Sequence, residues 1–261
     1  VAGNISATLS HSITVDLTAP SLTLDSAASV TTLKAGTYQG SLTFSELLDS
    51  SGTASVSLVS DLGSVPVSIT SISGSTMTVA YPIASSATNG RYAIHVMATD
   101  LAGNLATLTS SKNYMIDTTA PVQPVWQNSV SLLNSTQYSN SVVVESGTTL
   151  SITVDGVSAI SEIATSSVVP VALTLSEGSH SIVVTVEDAA GNTSTSLTST
   201  VSVDLTPAQL SRDQLSALFH LKSGTYVGSL TFSESLKSST SPVITFVSLA
   251  NSIPVSVTSM S

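Results

Sequence analysis

The sequence predicts an all-β protein built of sandwich modules in tandem. Three observations predict it: hydrophobic alternation at period two, a composition dominated by hydroxyl and β-branched residues, and long internal repeats. SVSLVS, VPVSIT, TMTVAY, YAIHVMAT, LSITVD, SIVVTVED and TSTVSVD each read as a strand with one buried face. Ser and Thr make up about a third of the 261 residues and charged residues only 8%. The polar faces therefore carry hydroxyls rather than ion pairs, which favours strands. Only AQLSRDQLSALFHL at 208–221 leaves room for a short helical turn, yet it aligns without gaps to the strand-and-loop segment ending at Leu33.

Two repeats set the boundaries. VAGNISATLSHSITVDLTAP at 1–20 returns as DLAGNLATLTSSKNYMIDTTAP at 100–121 and as DAAGNTSTSLTSTVSVDLTP at 188–207. Each copy is a turn, a long strand, an Asp and an exit containing Pro. LKAGTYQGSLTFSE at 33–46 returns as LKSGTYVGSLTFSE at 221–234, and the match runs on from SVPVSITSIS to SIPVSVTSMS. These registers divide the chain into the last strand of a preceding module (1–20), a complete module (21–121), a second (122–207) and a cut third (208–261). The sequence thus reads as an excerpt of a longer array. Modules of six to eight short strands at this length fit immunoglobulin-like sandwiches.

Composition excludes several functions. With 16 acidic and 6 basic residues, a formal net charge of −10, no basic stripe exists to neutralise nucleic-acid phosphates. No cysteine is present, which removes disulfide frameworks, thiolate metal sites and cysteine nucleophiles. Mean hydropathy is +0.40, but no apolar run approaches the roughly 20 residues of a spanning helix. No Ser sits in a GxSxG elbow or in a register tying it to a His and an acid, so no enzyme is expected. His11, His95, His180 and His220 read as packing or surface residues, and Lys34 and Lys222 as solvated edge lysines.

VDLTAP, IDTTAP, DLAGN, DAAGN and the TFSE strand resemble the bacterial immunoglobulin-like repeats of giant secreted adhesins. The resemblance implies an extracellular or cell-surface spacer, often stiffened by calcium. Its partners would be the neighbouring modules, and a host or matrix surface reached through distal domains. Pro207 departs from the pattern by following Thr206 without the Ala found at Ala19 and Ala120. A glycan- or protein-binding recognition module, or accessory domains of a secreted hydrolase, are the competing readings.

The candidate site follows from topology. In such a sandwich the DxAGN turn joins the last two strands at the N-terminal pole, and a last strand of about twelve residues spans roughly 40 Å. The Asp closing that strand therefore meets the next module's N-terminal pole. Strands ending in acids at that pole add a further carboxylate. The expected clusters are Asp16, Glu46 and Asp100; then Asp117, Asp155 and Asp188; then Asp204 and Glu234. Asn104 and Asn192 are added as neutral ligands. Carboxylates gathered this way repel one another without a cation, and calcium fits a loose set of oxygen donors. The alternative is that each Asp and Asn only shapes a turn.

Overall fold

The computed structural model describes residues 2–28, 31–214, 226–237, 242–247 and 252–257, among which no helix occurs. The chain is all-β, as its alternation predicts. In the first module, β1 (Leu22–Ser26), β2 (Thr32–Leu33), β3 (Gly36–Phe44), β4 (Ser55–Ser60), β5 (Gly63–Ser73), β6 (Thr76–Ile83), β7 (Gly90–Thr99) and β8 (Leu105–Ile116) follow in order. Hydrogen bonding runs β1-β3-β6-β5-β4-β7-β8-β2. The long β5 pairs first with β4, through Val65 and Val67, and then with β6 from Ser68 onward, so one strand closes a side of the sandwich. Inward positions alternate along β7, where Tyr92, Ile94, Val96 and Ala98 are buried. They pack against Leu42, Phe44, Leu58, Met77, Val79, Tyr81, Tyr114 and Ile116.

The second module splits into two sheets. Strands β9 (Val125–Trp126), β10 (Leu132–Leu133), β11 (Gln137–Val143), β12 (Thr149–Val154), β13 (Val157–Ile163), β14 (Val168–Thr174), β15 (Gly178–Glu187) and β16 (Leu197–Val203) give the orders β10-β16-β15-β12-β13 and β14-β11-β9. The edges this leaves are blunted. Edge strand β13 is interrupted where Ile152↔Ile160 shifts to Thr153↔Ser158, and Pro170 on β14 has no N–H to offer a further strand. Trp126 stacks edge-on against Tyr138 and donates its indole N–H to Ser199 Oγ at 2.7 Å, tying the two sheets together.

β17 (Leu210–Asp213) and β18 (Leu230–Phe232) pair through Leu210↔Phe232, repeating Leu22↔Phe44 of β1 and β3. β19 (Ile244–Val247) and β20 (Ser252–Val255) then pair as β4 and β5 do. Of the segment 208–221, Leu210–Asp213 form β17, in line with its gapless alignment to the strand-and-loop segment ending at Leu33 rather than with the short helical turn it leaves room for, and 215–221 lie outside the described residues. The strand expected within 1–20 is not formed among residues 2–20. Ile5, Leu9, Ile13, Val15 and Leu17 are exposed instead, because a strand exists only by pairing and no described strand lies beside them.

Candidate metal centre at the module junctions

The DLAGN turn is built on one carboxylate. Asp100 Oδ1 accepts the backbone N–H of Ala102 and of Asn104, both at 2.8 Å, while Oδ2 accepts the Asn104 amide at 2.8 Å. Gly103 supplies the positive φ of 93° that the turn needs. Burial works against charge on Asp100, but these donors outweigh it and hold the carboxyl below its usual range. The Asn104 amide also reaches the carbonyls of Asp16, at 3.2 Å, and Thr18, at 3.3 Å. The turn thereby grips the incoming linker.

Glu46 follows β3 by two residues, at the same pole. Ligand oxygens of Asp16, Glu46 and Asp100 all lie within 4.8 Å of one another, which is the first cluster expected from topology. Desolvation, then the charges of Asp16 and Asp100 and a hydrogen bond shared with Asp16, push the Glu46 carboxyl above its usual range. Three acids from separate stretches of chain, with two carbonyl oxygens beside them, make a donor set suited to a hard divalent cation.

The second junction repeats the turn. Asp188 Oδ1 accepts Ala190 N at 2.8 Å and Asn192 N at 2.9 Å, and the Asn192 amide bridges Asp188 Oδ2 at 2.8 Å to the Asp117 carbonyl at 3.0 Å. Asn89, Asp117, Thr119, Glu145 and Asp188 line a cleft of about 310 Å³ beside Pro121. Asp155 is not among them. β12 runs antiparallel to β15 with Thr149↔Glu187 at one end and Val154↔Ile182 at the other. Asp155 therefore lies about seven residues along the sheet from Asp188, roughly 23 Å. The acid delivered to this pole is Glu145, just past β11, where it matches Glu46 past β3. Its signal was VVVESG, an acid closing an apolar run and followed by a turn glycine.

At the third junction Asp204 and Glu234 meet. Desolvation, the Asp204 charge and a hydrogen bond with Asp204 raise the Glu234 carboxyl. All three linkers use their Asp alike: Oδ1 of Asp16, Asp117 and Asp204 accepts the N–H of Thr18, Thr119 and Thr206 at 3.0, 3.1 and 3.0 Å. Turn shaping thus takes one oxygen of each carboxylate. Asn104 and Asn192 depart from the ligand role expected of them. Each faces a carboxylate and a linker carbonyl, so its amide nitrogen turns toward the cluster and straps loop to linker.

Residues 1–115 match the family model of the bacterial Ig-like domain (group 3), and residues 128–205 that of the bacterial Ig-like domain. Over those two stretches the chain is made of bacterial Ig-like domains. Among solved structures it is similar to the fibronectin(III)-like modules of Clostridium thermocellum CbhA, at 16% identity over 71% of this chain and 94% of that one, with a TM-score of 0.41. A tetra-tandem repeat in the extending region of a large adhesion protein is 18% identical over 73% of this chain and 50% of that one, TM-score 0.31. A 1.5-MDa bacterial ice-binding adhesin is 20% identical over 73% and 66%, TM-score 0.36. No curated protein sequence matches the chain.

At the far pole of the second Ig-like module, Asp155 opens a two-residue hairpin with Gly156, at φ 52° and 82°. Its Oδ1 accepts Ser181 N and its Oδ2 faces His180 Nδ1, both at 2.8 Å. His180 Nε2 lies 2.9 Å from the Ser176 carbonyl and 3.4 Å from Ser176 Oγ. A Ser, a His and an acid are thus in contact, which the sequence did not suggest. The carbonyl already occupies Nε2, so the ring is not free to take the Ser176 proton. Both nitrogens face acceptors, and the Asp155 bond, then the Ser176 carbonyl, raise the His180 pKa against the effect of burial. The Ser181 N–H, then His180, lower that of Asp155. Stability from the raised imidazole is full below its ordinary 6.5 and is lost as pH climbs through the folded value. Stability from the lowered carboxylate is full above 3.8 and is lost in acid. The melting temperature of the second module should therefore fall as pH rises above 6.5, and His180→Asn should flatten that fall in a calorimetric pH series. His95 is half-buried on β7 and His11 is exposed, while His220 and Lys222 lie outside the described residues.

Proposed function

We propose that this chain is a spacer segment of an extracellular bacterial adhesin, a stalk of Ig-like modules whose junctions are stiffened by calcium. The observation that carries this reading is the convergence of Asp16, Glu46 and Asp100 from a linker, a strand exit and a loop. Asp117, Glu145 and Asp188 line one cleft at the next junction without the close approach of the first three, and Asp204 meets Glu234 at the third. The carboxylates of the linker, the strand exit and the loop are the residues that would hold the ion, with the Asp16 and Thr18 carbonyls beside them. Calcium bound there supplies charge neutralisation and a bridge between linker and loop. The role is non-catalytic and the partners are the modules on either side. Sites of this kind in extracellular modules bind with a Kd on the order of 10⁻⁴ to 10⁻³ M, a range that calcium outside the cell fills.

Titration calorimetry on the full chain tests this. More than one calcium should bind in that range, and Asp16→Asn with Glu46→Gln should weaken one site by on the order of tenfold or more while sparing the other. An absence of binding at millimolar calcium would remove the metal from the proposal.

A further inference from the structure

Lys34 follows β2 at the C-terminal pole of the first module, where a solvated edge lysine was expected. Its ammonium instead donates to the Gly191 carbonyl, 2.5 Å away in the Asp188–Asn192 turn of the next module. The stem lies along the turn: a Cβ on Gly191 would come within 3.2 Å of Nζ, 3.6 Å of Cε and 3.7 Å of Cδ. Gly191 sits at φ 85°, so glycine both makes the turn and leaves the lysine its seat.

The lysine is also held from behind. The Tyr38 hydroxyl accepts Lys34 N–H at 2.9 Å and donates to the Lys34 carbonyl at 3.1 Å, and Tyr38 stacks on the buried Tyr81. Leu33, one residue earlier, is buried and accepts the Asp117 N–H at 2.9 Å, fixing the lysine beside the linker. The corresponding Gly103 of the first module, at φ 93°, has nothing within 4 Å of a Cβ position. Asn134 follows β10 in the second module where Lys34 follows β2 in the first.

We infer that Lys34 is a metal-independent fastener, seated on the left-handed glycine of the following module's A-G-N turn, that sets the angle between the first and second modules. A charge-assisted bond to a neutral carbonyl needs no carboxylate and no metal, and the stem adds contact along the turn. The acidic cluster and the lysine are thus two separate restraints on one short linker. The inference does not rest on calcium binding.

The full chain has no cysteine, so Ser64→Cys on β5 and Ser158→Cys on β13 place one spin label on each module at exposed positions. Electron–electron double resonance in EDTA should give a narrow distance distribution for the otherwise unaltered chain. Lys34→Met should broaden it by about twofold, since free modules move relative to one another by default. Tyr38→Phe should broaden it less, and circular dichroism should be unchanged because Lys34 is exposed. The inference is overturned if Lys34→Met is as narrow as the parent in EDTA, or if the parent is already as broad as Lys34→Met. Both arms are read without calcium, so they decide the matter whether or not the acidic clusters bind it.

Discussion

Leu58→Ala is expected to destabilise the first module by about 2–5 kcal/mol and to leave the melting transition of the second where it is. Leu58 is fully buried on β4, between β5 and β7, opposite Val65 on one side and Ile94 on the other. Removing three carbons there opens a cavity that strands hydrogen-bonded on both sides cannot collapse to fill. The core it belongs to runs from Ala27 to Ile116 and shares no member with the core from Tyr138 to Val203. Ile152→Ala, equally buried on β12, should do the reverse. For domains near this size 1 kcal/mol moves the midpoint by about 4–8 °C, so differential scanning calorimetry should separate the two transitions plainly. If either substitution moved both transitions together, the modules would be a single cooperative unit and the division into two cores would be wrong.

What the sequence made legible was whatever depends on period and strand direction. Alternation in YAIHVMAT predicted a strand with one buried face, and that face is the one carrying Tyr92, Ile94, Val96 and Ala98. The length of the last strand and its antiparallel return brought Asp16 to Asp100, and the SLTFSE exit added Glu46. The same reasoning failed at Asp155 because LSITVD and SLTFSE look alike as alternating runs ending in an acid. Which pole such an acid occupies depends on which strand the run is, and that is a property of sheet order rather than of the run. The Asp-Gly pair at 155–156 was the local clue, since it marks a tight hairpin rather than a strand exit. The seat of Lys34 on Gly191 had no local signal at all. It depends on how two separately folded modules face each other, which no periodicity encodes.

Glu46→Gln should change the sign of its effect with calcium. In EDTA the Glu46 carboxyl sits in a desolvated place beside Asp16 and Asp100, which hold its pKa above the ordinary 4.5. A carboxylate raised in the folded state contributes most below its unfolded pKa, and that contribution is lost as pH rises through the folded value. At neutral pH the charge on Glu46 therefore works against the fold, and the amide, of the same shape and uncharged, should melt the first module slightly higher than the parent. Adding calcium reverses the comparison if the cluster binds it. At about 10 mM calcium, a Kd on the order of 10⁻⁴ to 10⁻³ M gives the parent about 1.4–2.7 kcal/mol, or roughly 5–20 °C. The variant, short of one charged ligand, should gain much less and fall below the parent. The measurement is four melting curves at neutral pH, parent and variant, each in EDTA and in calcium. A crossing of the two proteins between conditions is the expected result. If the variant melted higher in both conditions, the three acids would be a repulsive cluster that no calcium relieves. If it melted lower in both, Glu46 would be stabilising the fold through its hydrogen bonds, and the repulsion inferred from its surroundings would be absent.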